Sequence, residues 1–126
     1  MRACLDEGAA AVVAADLRTD AVPAGCEARQ CDVTSEAAFA QSARKTEARC
    51  GRVDVFCSNA GVLTPGWDVR EADFAVWGCD WKIDVPAYPM AATAVLAGMI
   101  ARREGCLLNT ASAAGRFTDA GAARRE

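Results

Sequence analysis

The sequence predicts an α/β fold built on a parallel sheet with helices packed against it. Three observations carry that reading. Short apolar runs alternate with helix-prone or connecting segments, each run closes on polar or small residues, and the longest intervening segment repeats apolar residues every four positions. Ligands of such sheets bind beyond the carboxyl ends of the strands, so the residues that close the runs are the informative ones.

The first run, residues 9–17 (AAAVVAADL), has Val12 and Val13 at its centre and Asp16 near its end. The second, residues 29–33 (RQCDV), is weaker and closes on Asp32 and Val33. From Ser35 the alanine-rich stretch SEAAFAQSARKTEARCG predicts a helix, with Thr34 or Ser35 as its cap, an early acid and a stop at Gly51. Residues 53–61 (VDVFCSNAG) resume a strand that breaks at Asn59-Ala60-Gly61, and residues 62–77 read as a connection. A long helix is predicted from about Ile83 to Arg103, with Ala87, Ala91, Val95 and Met99 on one face and Gly105 ending it. The last strand, residues 106–112 (CLLNTAS), ends at Ser112.

Composition narrows the function classes. At 126 residues, 52% hydrophobic and 25% charged, the chain has the make-up of one globular domain. Fourteen basic against 17 acidic residues, with no basic block, argue against nucleic acid as a partner. No apolar run approaches the roughly 18 residues of a membrane span, and the N-terminus lacks signal-peptide anatomy, so no membrane partner and a cytoplasmic location are expected. Seven cysteines occur without a CxxC pair, and there is no histidine to complete a mixed zinc site. No metal site is expected, and Cys57 and Cys106 read as reduced thiols packed in the core.

Taken in order, AAVVAADL, CDVT, VDVFCSNAGV, the Trp77 to Asp84 interval and LLNTASAAG resemble the short-chain dehydrogenase/reductase family over nearly the whole chain. The resemblance implies a Rossmann-type parallel sheet with flanking helices, and hydride transfer between a nicotinamide cofactor and a small-molecule alcohol or carbonyl. Asp16, with Leu17 beside it, corresponds to the carboxylate that accepts the adenosine ribose hydroxyls and repels a 2′-phosphate, which favours NAD over NADP. It can also be an acid capping a strand, and Arg18 leaves room for the phosphorylated cofactor. Asp32 corresponds to the carboxylate that receives the adenine amino group, with Val33 against the ring; a turn-forming role is the alternative. Asn59, Ala60 and Gly61 correspond to the element that stabilises the central strand and lets backbone approach the cofactor. Ser112 corresponds to the catalytic serine that hydrogen-bonds the substrate oxygen. Asp84 stands where the family has an asparagine whose main-chain carbonyl holds a relay water, and Pro86 alters the geometry there.

Two departures shape the functional expectation. The family's acid/base is a tyrosine followed four residues later by a lysine, and the resemblance places that tyrosine at Arg125. Tyr88, the one tyrosine, falls at the start of a helix on the other side of the serine strand and is not expected to replace it. No glycine-rich GxxxGxG loop exists to cradle a pyrophosphate. Residues 1–126 are therefore expected to form a single incomplete domain whose first strand and glycine loop lie upstream of Met1. The chain reads as an inactive fragment of an NAD-dependent oxidoreductase whose intact parent is a homo-oligomer. Alternatives are a degenerate module that pairs with an intact paralogue, or an unrelated α/β domain. Because the absent strand belongs between the 9–17 and 53–61 strands, those two must close on each other or stay open, and an aggregation-prone or molten chain is expected.

Overall fold

The structure, a computed structural model, describes residues 1–62 and 73–112. Its elements are α1 (Arg2–Asp6), β1 (Val13–Asp16), β2 (Glu27–Gln30), α2 (Glu36–Cys50), β3 (Val55–Ser58), α3 (Phe74–Asp84), α4 (Ala87–Arg102) and β4 (Cys106–Asn109). All strand pairing is parallel: β1 pairs with β2 from Val13↔Glu27 to Asp16↔Gln30, and β3 pairs with β4 from Val55↔Cys106 to Ser58↔Asn109. The α/β class with flanking helices is as the sequence predicts. The sheet is two separate ribbons, with no ladder joining β1 to β3.

Helix α2 forms where its sequence signals say. The Ser35 hydroxyl accepts the Ala38 N–H at 3.2 Å, and Gly51 closes the helix at φ 85°, donating its N–H to the Glu47 carbonyl at 2.7 Å. Between residues 83 and 103 the sequence reading needs correction, because the chain makes two helices that meet at Val85–Pro86. Proline lacks the N–H of a continuing helix and crowds the residue before it. The end of α4 also differs from expectation: Arg103 (φ 56°) takes the left-handed position, and the Glu104 N–H reaches the Met99 carbonyl at 3.1 Å. Gly105 instead answers a close approach, since a Cβ there would meet the Met99 Sδ at 2.6 Å.

Helix α3 begins inside the segment that the sequence marks only as a connection and runs on past it to Asp84. Asp73 caps it by accepting the Ala75 N–H at 2.8 Å. Its Phe74, Trp77 and Trp81 are exposed, so they left no core-facing periodicity to read. Together Phe74–Arg102 form a 29-residue helical stretch long and apolar enough, by composition, to cross a membrane, which corrects the expectation that no such run exists. Within this fold its second half behaves as a core helix.

That core is a seam between α4 and α2. Ala87, Ala91, Val95 and Met99 are buried against Phe39 and Ala43, with Phe56 of β3 and Leu107 of β4 packed beneath. Small residues at 87 and 91 let the Phe39 ring approach α4, and it meets the Phe56 ring at 6.3 Å between centroids, tilted by 55°. The strands' other face is more open among the described residues. Cys57 and Cys106 are exposed there rather than packed in the core, alongside Val55 and Leu108, because alternation turns Phe56 and Leu107 toward the helices. Cys31 is the buried cysteine among the described residues.

The β1–β2 ribbon is tied to α2 by polar contacts. Arg29 donates to the Ser42 carbonyl and to the Thr46 hydroxyl, each at 2.7 Å, and pairs with Glu27, which also pairs with Arg49. Hydrogen bonding from Arg29 first, then the positive charges of Arg29 and Arg49, hold the Glu27 carboxyl below the usual range against the opposing effect of desolvation.

Because the folded-state pKa of Glu27 is lowered, its contribution to stability is present above the unfolded value and disappears as pH falls through the folded one. Glu27→Gln is expected to lower the unfolding midpoint, followed by circular dichroism, at neutral pH, with the gap to the parent chain closing below about pH 4. An equal gap at pH 7 and pH 3 would count against the pairing. The open edges of β1 and β3 carry a second expectation, self-association of the isolated chain in sedimentation velocity. A monodisperse monomer with a cooperative thermal transition would show that the edges are tolerated.

Candidate functional site

Polar side chains gather where the strands end. At the end of β1 the exposed Asp16 accepts the Arg18 N–H on Oδ1 at 3.0 Å, while its carbonyl accepts the Cys31 N–H at 2.9 Å. That second bond carries the β1–β2 pairing one step past Gln30, so Asp32 follows at the same end of the ribbon as Asp16. Leu17 is exposed. Asp32 follows the strand and does not end it. Its Oδ1 accepts the Thr34 N–H at 2.9 Å and the Thr34 hydroxyl at 2.8 Å, and these bonds, the backbone one first, hold its carboxyl below the usual range. The carboxylate is thus a turn former whatever else it binds. Val33 is half-buried against Phe39, Ala87 and Ala91, so part of the side chain expected under an adenine ring belongs to the core.

The β3–β4 ribbon ends in a denser network. The Thr110 N–H donates to the Ser58 carbonyl at 2.9 Å, and its hydroxyl donates to Asn59 Oδ1 at 2.7 Å. The backbone of Ala60, Gly61 and Val62 is exposed, and the Val62 N–H donates to Asp84 Oδ1 at 2.9 Å. Asp84 therefore acts on the turn after β3 through its carboxylate, where the sequence offered a main-chain role. Gly61 lies beside it, its absent Cβ 3.4 Å from the same oxygen. Ser112 is exposed just past β4.

Tyr88 stands at the start of a helix as the sequence reads, but its bond to the serine strand was not foreseen. Its hydroxyl donates to the Thr110 carbonyl at 2.8 Å, two residues before Ser112, so the phenol belongs to the serine end of the sheet. The missed signal was topological. A helix that connects two parallel strands starts beside the carboxyl end of the first and runs back, which puts its first turn next to the carboxyl ends of both.

The structure thus brings Asn59, Gly61, Asp84, Tyr88, Thr110 and Ser112 together at one ribbon's end, and Asp16, Leu17 and Asp32 together at the other's. Arg125, where the resemblance places an acid/base, lies outside the described residues, as does the 63–72 part of the connection. A model of the short chain dehydrogenase family matches residues 2–123. The chain belongs to this family. The short chain dehydrogenases are oxidoreductases that bind NAD or NADP, and the fold and strand-end cluster described above are consistent with that membership.

Two curated relatives come from Xanthobacter autotrophicus. The chain is 36% identical over 112 residues to 2-(S)-hydroxypropyl-CoM dehydrogenase 3, covering 88% of this chain and 42% of the relative. It is 34% identical over 84 residues to inactive 2-(S)-hydroxypropyl-CoM dehydrogenase 2, covering 67% of this chain and 36% of that protein. Among solved structures, a metagenomic short-chain oxidoreductase in complex with NADP superposes with a TM-score of 0.80 at 27% identity, covering 94% of this chain and 58% of that one. The chain therefore spans less than half the length of these curated relatives.

Proposed function

We propose that this chain carries the adenosine-binding and substrate-facing strand ends of an NAD-dependent alcohol/carbonyl oxidoreductase, and that these 126 residues do not turn over by themselves. The observation that carries the reading is the pairing of an exposed Ser112 with a tyrosine whose hydroxyl is already committed to the Thr110 carbonyl.

Oxidation of an alcohol moves a hydride from carbon to the nicotinamide, the chemistry the cofactor supplies when bound, and the hydroxyl proton must leave to a base. Ser112 can hydrogen-bond the substrate oxygen and hold it, but a serine hydroxyl does not take up that proton at neutral pH. A positioned acid/base contributes on the order of 10² to 10⁴ in rate, and neither a histidine nor the expected tyrosine–lysine pair stands in the sequence. On the nucleotide side, Asp16 has one oxygen on Arg18 and the other open to a ribose hydroxyl, which fits the adenosine end of NAD. The residues present do not supply a glycine-rich phosphate cradle. The substrate class is a small alcohol or carbonyl, and we take the working protein to be a homo-oligomer.

A second reading, a non-catalytic module that pairs with an intact relative, draws support from Phe74, Trp77, Trp81 and Ile100, all more than half exposed on α3 and α4.

The purified chain is expected to give no NAD- or NADP-linked turnover above background with alcohols or carbonyls; turnover abolished by Ser112→Ala would overturn the inactivity. Ligand-observed NMR titration is expected to show AMP binding roughly tenfold more tightly than its 2′-phosphorylated counterpart, because Asp16 faces the added phosphate at short range. Asp16→Asn should erase that preference. Equal affinities in the parent chain would sink the NAD assignment.

A further inference from the structure

We propose that Tyr88 is a positioning residue: it closes a ring of hydrogen bonds that fixes the Ser112 segment against the Asn59–Val62 turn. The ring can be followed atom by atom. The Tyr88 hydroxyl donates to the Thr110 carbonyl at 2.8 Å, the Thr110 hydroxyl donates to Asn59 Oδ1 at 2.7 Å, and three residues on the Val62 N–H donates to Asp84 Oδ1 at 2.9 Å. Asp84 and Tyr88 are four residues apart and stand on either side of the Val85–Pro86 break, so the helix junction itself closes the circuit.

The break is what gives each residue its own target. Asp84 ends α3 and holds the turn after β3, while Tyr88 opens α4 and holds the end of β4. Their separation is set by the junction, and α4 is anchored by Ala87 and Ala91, 4% and 1% exposed, which flank Tyr88 in the seam with Phe39. Past Asn109 the strand has no further ladder than the bond from the Thr110 N–H to the Ser58 carbonyl. The Tyr88 bond takes the Thr110 carbonyl, one peptide beyond, and so constrains the direction in which Ala111 and Ser112 leave the sheet. With its proton given to a main-chain carbonyl, Tyr88 serves the site by geometry and not by proton transfer.

This inference rests on Ser112 as the substrate-facing residue only for its functional meaning. The bond circuit can be tested without cofactor or substrate, so a chain that binds no nucleotide still tests it. Tyr88→Phe keeps the ring and removes the donor. Site-resolved amide hydrogen exchange is expected to rise about fivefold at Thr110, whose N–H donates to the Ser58 carbonyl, and to rise at Val62 across the ribbon, while the amides of Val95 and Met99 keep their rates as an internal reference for global stability. Asp84→Asn, which preserves an acceptor for the Val62 N–H, should leave these rates near the parent's; Asp84→Leu should raise exchange at Val62. Combining Asp84→Leu with Tyr88→Phe should add less than the sum of the two, as expected for members of one network. Unchanged exchange at Thr110 in Tyr88→Phe would overturn the proposal. So would a uniform rise that includes Val95 and Met99, which would make Tyr88 a general stabiliser.

Discussion

The structure hangs on the contact between the small-residue face of α4 and the Phe39–Ala43 face of α2. Ala87, Ala91, Val95 and Met99 bring the two helices together over Phe56 and Leu107, and that one seam supplies most of the burial among the described residues. Burial of this kind contributes about 25 cal/mol per Å² of apolar surface, and alanine offers little surface. The seam's value lies less in its magnitude than in its closeness. Side chains that end at Cβ let backbones approach, so the β3–β4 ribbon is held at a fixed distance below α4 and the first turn of α4 is held over the strand ends.

Function depends on that placement through the helix break. Were 74–102 one continuous helix, Asp84 and Tyr88 would stand one turn apart on a single face and address the same neighbour. The proline at 86 separates them, and each reaches a different strand-end segment. A residue that in sequence looks like a helix breaker is therefore the reason two loops are held in register. The β1–β2 end has no comparable brace among the described residues. Asp16 and Asp32 are held by short Asx turns within a ribbon attached to α2 through Arg29 and its partners.

This division also separates the two chemical tasks. On the proposed reading, recognition of an adenosine falls to the carboxylates at the end of β1 and just past β2, which are held locally by turns that bond to their own backbone. Handling of a substrate oxygen, which the proposed reading gives to Ser112, would need that residue at a defined distance from the Asn59–Gly61 backbone, which no local turn can set. In a parallel sheet the two tasks meet when the ribbons are neighbours in one continuous ladder. Among the described residues β1 and β3 each present an unpaired edge, so no ladder sets the relation between the two ribbons.

Much was legible in the sequence because the signals were local. The Ser35 cap and the Gly51 stop delimit α2, a four-residue repeat marks the buried face of α4, and the polar residues Asp16, Asn59 and Ser112 fall at or just past the carboxyl ends of their strands. Each depends on a few neighbouring backbone groups or on a period, and a linear chain carries both. The tertiary structure decided the rest. It chose which face of β3 and β4 met the helices, and so exposed Cys57 and Cys106; it made a helix of 74–84, whose exposed aromatics follow no buried pattern; and it carried Tyr88 to the serine strand. Those outcomes turn on pairings between residues some 20 to 50 positions apart, such as Tyr88 with Thr110 and Asn59 with Thr110, and nothing local to either partner encodes the other's position.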